Sequence, residues 1–293
     1  FFRPHTPFVA PKKYFDLYKR EKIEIPEISS DYLSTLPDPA VRSIRAKKNQ
    51  LNLEKELAQE IKEAYYATIS FVDAQVGRLL DQLEASGLDK NTVVVFTSDH
   101  GYHMGEHGHW QKQTLFENAT RIPLIISAPI TIKNGAISTS NSPVELIDLY
   151  PTLMDLTNIN TPKHVVGKSL VPIMKNVHAS VRGSALTRWR NGYSIKTKRY
   201  RLTKWGSNGE LGYELYDHKN DKNEMINLVS RQDYEQIMDS LKLVIDERIT
   251  GASNKPKGLG RQFENAKRMH KAKNITFGDI HDTNGEVIYY KKK

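Results

Sequence analysis

The side chains in this sequence that could do chemistry are concentrated in one run, Thr97-Ser98-Asp99-His100-Gly101-Tyr102-His103-Met104-Gly105-Glu106-His107-Gly108-His109-Trp110-Gln111-Lys112. A carboxylate beside an imidazole, as at Asp99 and His100, can hold a divalent cation. A lysine further on, Lys112, can hold an anion against it. Cation and ammonium together suit hydrolysis of an oxyanion ester. An isolated Asp-His pair after a strand is an ordinary loop or cap; the whole run, with Lys112 and a strand after it, is what gives the pair weight.

Something must hold these groups in place. The run follows Val93-Val94-Val95-Phe96, an apolar stretch that reads as a buried strand. Ligands of open α/β sheets bind just past the carboxyl ends of such strands. Before it, residues 51–86 carry Ala58, Ile61, Tyr65, Ile69, Val72, Val76, Leu79 and Leu83 at three- and four-residue steps. That spacing predicts a helix with a buried stripe, stopped by Ser86-Gly87. After the run, Ile122-Pro123-Leu124-Ile125-Ile126-Ser127 reads as a second strand. Residues 144–156 read as a helix, with Ser142 as N-cap and Pro143 in the first turn. This order predicts an α/β fold with a mostly parallel sheet flanked by helices.

The ends of the chain read differently. Prolines 4, 7, 11, 26, 37 and 39 keep residues 1–50 out of long regular elements. Beyond about residue 177, short strand-like runs at 184–189, 192–197, 200–205 and 213–217 are separated by turn residues, and a helix follows over 232–250. They predict a small antiparallel sheet with a helix packed on it. A Gly/Pro/Lys linker spans 251–260, and Asp282-Thr283-Asn284-Gly285 suggests a turn before Val287-Ile288-Tyr289-Tyr290. The expected division is 1–178 for the α/β part, 179–255 for the small subdomain and 256–293 for a basic tail.

With 293 residues, 38% hydrophobic and 9% aromatic, the chain can bury a sizeable core. No apolar stretch is long enough to span a bilayer. The formal charge of +9 favours polyanionic partners, although Lys267-Arg268, Lys271, Lys273 and Lys291-Lys292-Lys293 also read as a solvated tail. There is no cysteine, so disulfides, zinc–thiolate sites and a cysteine nucleophile are excluded within this stretch. Phe1-Phe2-Arg3-Pro4-His5-Thr6-Pro7-Phe8 has no initiator Met and reads as a strand end entering a loop. We expect the chain to be the carboxyl-terminal part of a longer protein.

The helix over 65–83, Ser98-Asp99-His100-Gly101, Gly105-Glu106-His107-Gly108, Lys112 and Arg121-Ile122-Pro123-Leu124-Ile125-Ile126 together resemble the second half of a type I sulfatase catalytic domain, in the alkaline-phosphatase superfamily. Glu214-Leu215-Tyr216-Asp217, with Asn220 to Glu224 and Asn227-Leu228, resembles that family's carboxyl-terminal signature. Arg3-Pro4-His5-Thr6-Pro7-Phe8 and Gly192-Tyr193-Ser194-Ile195-Lys196-Thr197 resemble segments of its iduronate-2-sulfatase-like subgroup. The likeness covers about residues 1–230.

The resemblance implies that Asp99 and His100 ligate one Ca²⁺ ion and that Lys112 contacts the sulfate. It implies that His5 hydrogen-bonds a sulfate oxygen or protonates the leaving alcohol. His109 and Trp110 are then placed to touch the organic part of the substrate, while Glu106 braces the loop backbone. The formylglycine precursor motif C/S-x-P-x-R does not occur here, and neither do the paired aspartates that complete the family's metal site. The stretch therefore carries about half an active site, and alone it should be inactive; the missing N-terminal half would be its first partner. The implied substrate is a sulfated sugar or glycosaminoglycan, and the implied location secreted, periplasmic or lysosomal. No nucleic-acid module is apparent. Two other readings stay open: a phosphodiesterase or phosphonate hydrolase on the same scaffold, and a non-catalytic polyanion-binding module.

Overall fold

Apolar residues at helical spacing carry Lys55–Ala85 through one long helix, α3, whose end is closed by Ser86 N–H on the Gln82 carbonyl and Gly87 N–H on that of Glu84. This computed structural model describes residues 1–129, 139–254, 280–281 and 287–288. Residues 1–251 form one compact unit and 252–293 another. As the prolines require, the chain before α3 holds only short pieces, chiefly α1 (Lys12–Phe15) and α2 (Asp38–Ile44). Helix α1 lies on α3, where the Tyr14 ring meets Phe71 at 5.4 Å.

The two apolar runs flanking the polar loop are strands β1 (Val94–Thr97) and β2 (Leu124–Ser127). They pair with each other antiparallel, Val94 opposite Ser127 and Thr97 opposite Leu124. Among the described residues no strand pair is parallel, so the parallel neighbours expected from the element order are not contained there. Within the loop between them lies the short helix α4 (Glu117–Thr120).

The next helix starts later than the Ser142 reading has it. A 3-10 turn, Leu146–Asp148, leads into α5 (Leu149–Leu156), and the N-cap is Glu145 in a reciprocal capping box with Asp148. Ser142 Oγ donates instead to the Ala179 carbonyl (2.7 Å). Between α5 and α6 (Val171–Lys175) the chain makes an exposed excursion over 157–167. Its base is clasped: Lys168 N–H donates to Asp148 Oδ1 (2.8 Å), Ser169 Oγ to Asp155 Oδ2 (2.5 Å) and Leu170 N–H to Thr152 Oγ1 (2.9 Å).

The expected small sheet is present as β3 (Ala185–Trp189), β4 (Gly192–Lys196), β5 (Tyr200–Trp205) and β6 (Tyr213–Asp217), antiparallel throughout and in sequence order. One face carries Ile195, Leu202 and Leu215 into a core with Met238, Leu241 and Ile245 of α7 (Glu235–Ser253). Arg182, almost fully buried, ties this region to the start of α5 through Glu145 (2.7 Å) and Asp148. Burying charges is costly unless they are paired, and all three are. In the second unit β7 (Ile280–His281) pairs antiparallel with β8 (Val287–Ile288). The linker, the suggested turn at 282–285 and the lysine-rich end fall almost wholly outside the described residues.

Candidate active site

The polar run folds back on itself just past β1. Gly101 N–H donates to the Ala119 carbonyl (2.8 Å), His103 N–H to Gln111 (2.8 Å) and Gly105 N–H to His109 (2.9 Å). These bonds join the segment carrying Asp99 and His100 to the one carrying Lys112. Only glycine fits at 101, where a Cβ would come within 2.0 Å of the Asn118 carbonyl oxygen. Glu106 braces the turn as expected, its Oε2 accepting Met104 N–H at 2.6 Å.

Asp99 projects into solvent, with 84% of its side chain exposed, and His100 stands beside it. His100 Nδ1 lies 2.8 Å from the Gly101 carbonyl, which assigns the proton to that nitrogen. In that tautomer Nε2 is left to face Asp99 Oδ2, 3.5 Å away. Two atoms rich in lone pairs face one another across a gap suited to a cation. A carboxylate oxygen is the hard ligand calcium takes, usually at about 2.3–2.6 Å. The donor set present thus fits part of a calcium shell.

His5 is exposed on a loop, with Nδ1 on the Thr6 carbonyl (2.7 Å). Its segment is brought to the polar loop by Phe8, whose ring meets Tyr65 of α3 at 5.3 Å and Tyr102 at 6.0 Å. Lys112 is half-buried. His109 and Trp110 are placed differently from the substrate-contact reading: both are enclosed by the protein. His109 Nδ1 lies 2.8 Å from the Ile44 carbonyl and Nε2 2.9 Å from that of Lys112, and the neutral ring donates to one of the two. Trp110 packs with Ala58 and Met104 in a small core. An indole flanked by apolar neighbours gains more from burial than from waiting for a sugar.

Behind the loop lies a cluster of imidazoles. His103, His107 and His109 are all buried, with ring centroids 5.0–5.5 Å apart around His103. His103 Nε2 bonds Thr114 Oγ1 (2.8 Å), and His107 Nδ1 bonds Tyr32 Oη, while His107 Nε2 has no partner. Burial pushes all three below the usual imidazole pKa, His107 to about 4. The rings stay neutral in the fold while the unfolded chain takes up protons first as pH falls below about 6.5. The contribution of each is therefore whole above that pH and is lost as pH falls through its lowered pKa, for His107 between about 6.5 and 4. Buried Glu214, raised by burial to about 7, works the other way: its cost appears as pH rises from about 4.5 to 7. Three groups outweigh one. The urea midpoint should fall between pH 7 and pH 5; a midpoint that rises would contradict the neutral cluster.

One arrangement escaped the sequence reading. Glu117 at the start of α4, His218 and Glu224 offer ligand atoms within 4.8 Å of one another. Arg201 of β5, fully buried, already occupies this cluster: its Nε donates to Glu224 Oε1 (2.5 Å) and another guanidinium nitrogen to Glu117 Oε2. Burial opposes the charge on Glu224, yet Arg201, His218 and the Glu117 backbone N–H hold its pKa at about 2. The cluster is an ion-pair network joining the loop to the small sheet. In sequence, Arg201 between Tyr200 and Leu202 reads as the solvent face of a strand, so nothing local marks it as buried. Arg199 likewise pairs with Asp217, with two bonds of 2.7 Å.

Comparison with known proteins gives consistent results. The family described as Sulfatase matches residues 1–159, and the one described as N-sulphoglucosamine sulphohydrolase, C-terminal, matches residues 105–250. A Sulfatase of Formosa agariphila is 35% identical over 84% of this chain and 48% of its own length. The Iduronate 2-sulfatase of Mus musculus is 30% identical over 55% of this chain and 35% of its own. A structure solved with its substrate D-glucosamine-2-N,6-O-disulfate superposes with TM-score 0.58 at 28% identity, over 79% of this chain and 48% of that one. The phosphonate monoester hydrolase of Silicibacter pomeroyi reaches TM-score 0.74 at 24% identity, over 85% and 54%, a likeness of fold alone. The chain spans between about a third and about half of the length of the curated relatives it matches, 48% and 52% for two of them and 35% for the mouse enzyme.

Proposed function

The chain belongs to the sulfatase family, and from that premise we propose that it supplies about half of a calcium-dependent sulfuric ester hydrolase site. Asp99 and His100 hold the ion, which would offset charge on the sulfate. Lys112 presents its ammonium to the ester oxygens, where it opposes the charge that builds on the leaving oxygen. His5 serves as hydrogen-bond donor or proton source at the same group. The observation that carries this reading is the facing of Asp99 Oδ2 and His100 Nε2 at 3.5 Å, with the other ring nitrogen committed to a backbone carbonyl.

The substrate class we infer is a sulfated sugar. The names of several relatives support it, among them the N-acetylglucosamine-6-O-sulfatase of Bacteroides thetaiotaomicron. With no cysteine and no C/S-x-P-x-R motif in its 293 residues, the chain has no residue to become formylglycine. By itself it should bind but not turn over.

Calcium titrated calorimetrically into this chain joined to a sulfatase half that supplies the paired aspartates is the test. Wild type should saturate at one ion per chain, and Asp99→Ala should show no binding heat. Calcium retained by the variant would remove the assignment of Asp99, and uptake of two zinc or manganese ions would favour a phosphonate or phosphodiester chemistry instead.

A further inference from the structure

Asparagine followed by glycine is a pair through which a chain can alter its own covalent structure. The glycine backbone nitrogen attacks the asparagine side-chain carbon, and a residue without Cβ does not hinder the approach. The sequence holds four such pairs, Asn134-Gly135, Asn191-Gly192, Asn208-Gly209 and Asn284-Gly285. The second and third lie within the described residues, and the fold treats them differently.

Asn191-Gly192 is locked. Trp189 opposite Gly192 closes a two-residue hairpin between β3 and β4. The two residues of such a closing pair exchange both of their backbone hydrogen bonds, so the Gly192 nitrogen is committed. The Asn191 carbonyl is also taken, by Gly206 N–H at 3.0 Å. Gly192 is buried, and a Cβ there would come within 2.5 Å of the Trp205 ring. Its nitrogen has no path to the Asn191 side chain unless the sheet opens.

Asn208-Gly209 is open. It stands in the loop between β5 and β6, with Asn208 exposed. Among the described residues neither the Asn208 side-chain amide nor the Gly209 N–H has a hydrogen-bond partner. The peptide between them is held only by Tyr213 Oη donating to the Asn208 carbonyl at 3.3 Å, long for such a bond. Gly209 is nonetheless fixed as glycine. Its φ is 81°, and a Cβ would lie 2.1 Å from Tyr213 Oη. The loop therefore keeps the small residue that makes its neighbour reactive.

We propose that Asn208 is a self-modification site, with water as the only co-reactant. The Gly209 nitrogen loses its proton and bonds to Cγ of Asn208. The bond from Cγ to Nδ2 breaks, and the amide nitrogen takes up a proton and leaves as ammonia. Water then adds to one carbonyl of the resulting succinimide and breaks that carbon's bond to the ring nitrogen. Opening at Cγ leaves aspartate, and opening at the backbone carbonyl leaves isoaspartate. Either product disturbs the loop. The backbone N–H groups of Asn208, Glu210 and Ser207 now hold the Glu210 carboxyl below its usual pKa. A second carboxylate at 208 stands against the first. Isoaspartate also adds a carbon to the main chain of a loop whose Gly212 lies close against Pro37.

The test incubates the chain at mildly alkaline pH in heavy-oxygen water, both folded and in concentrated urea, and maps its peptides by mass spectrometry. In the folded chain, position 208 should lose its amide at least about tenfold faster than position 191, a barrier difference of about 1.4 kcal/mol. Heavy oxygen should enter there, with aspartate and isoaspartate both present. In urea the two positions should react at similar rates. Asn208→Gln, which would have to close a larger ring, should lose the amide at 208 at least about tenfold more slowly with an unchanged urea midpoint. On isoelectric focusing the aged chain should run with Asn208→Asp. Equal loss at 191 and 208 in the folded chain, loss at 208 only in urea, or aspartate without isoaspartate would overturn the proposal.

Discussion

Arg201→Ala should destabilise the fold by about 3–5 kcal/mol, the usual consequence of stripping one partner from a buried ion pair. The guanidinium is bonded to Glu224, Glu117 and Ser194 Oγ (3.2 Å), and its side chain is 2% exposed. Without it, fully buried Glu224 keeps only His218 Nε2 (2.7 Å) and the Glu117 N–H (2.7 Å). The loss should show as a lower urea midpoint with little change of slope. Glu117→Ala should cost less, because Glu117 sits nearer to water and can be replaced by it. A variant Arg201→Ala within 1 kcal/mol of wild type, about the scale of an exposed pair, would mean that the network is not what joins the loop to the small sheet.

Lys112→Ala should lower sulfate-ester turnover at least about a hundredfold, the scale of losing one charge contact made in the transition state. The assay needs a polypeptide in which this chain is joined to a formylglycine-bearing sulfatase half. Among the described residues the half-buried Lys112 side chain makes no hydrogen bond or ion pair, so the variant should melt close to wild type. A loss of activity without a loss of stability is what separates a substrate contact from a structural residue. Undiminished turnover would remove Lys112 from the site.

Much of this architecture is legible from residue order. The stripe from Ala58 to Leu83 allows only a helix, and the four short strands after residue 184 lie within a residue of where their turn signals put them. Direction is not legible. Apolar runs such as those of β1 and β2 look the same whichever way a neighbour runs, and here they run opposed. The start of α5 is not legible either: Ser142 and Pro143 are common first-turn residues, whereas the acidic pair Glu145 and Asp148 forms the cap. In the loop, spacing singles out Asp99, His100 and Lys112 as candidates for chemistry. It cannot tell an imidazole at the surface from one in the core. His109 and Trp110 stand among polar neighbours in sequence and among apolar ones in space. The Glu117–Arg201–Glu224 network joins residues so far apart in the chain that no local pattern announces it.

The clasp at the base of the 157–167 excursion has a practical corollary. Because Lys168, Ser169 and Leu170 are anchored to Asp148, Asp155 and Thr152, the two ends of that segment stay neighbours whatever lies between them. Lengthening a closed surface loop adds little entropy cost, about 0.6 kcal/mol per doubling. An epitope or fluorophore-accepting peptide grafted there would ride on the molecule without disturbing the polar loop between β1 and β2.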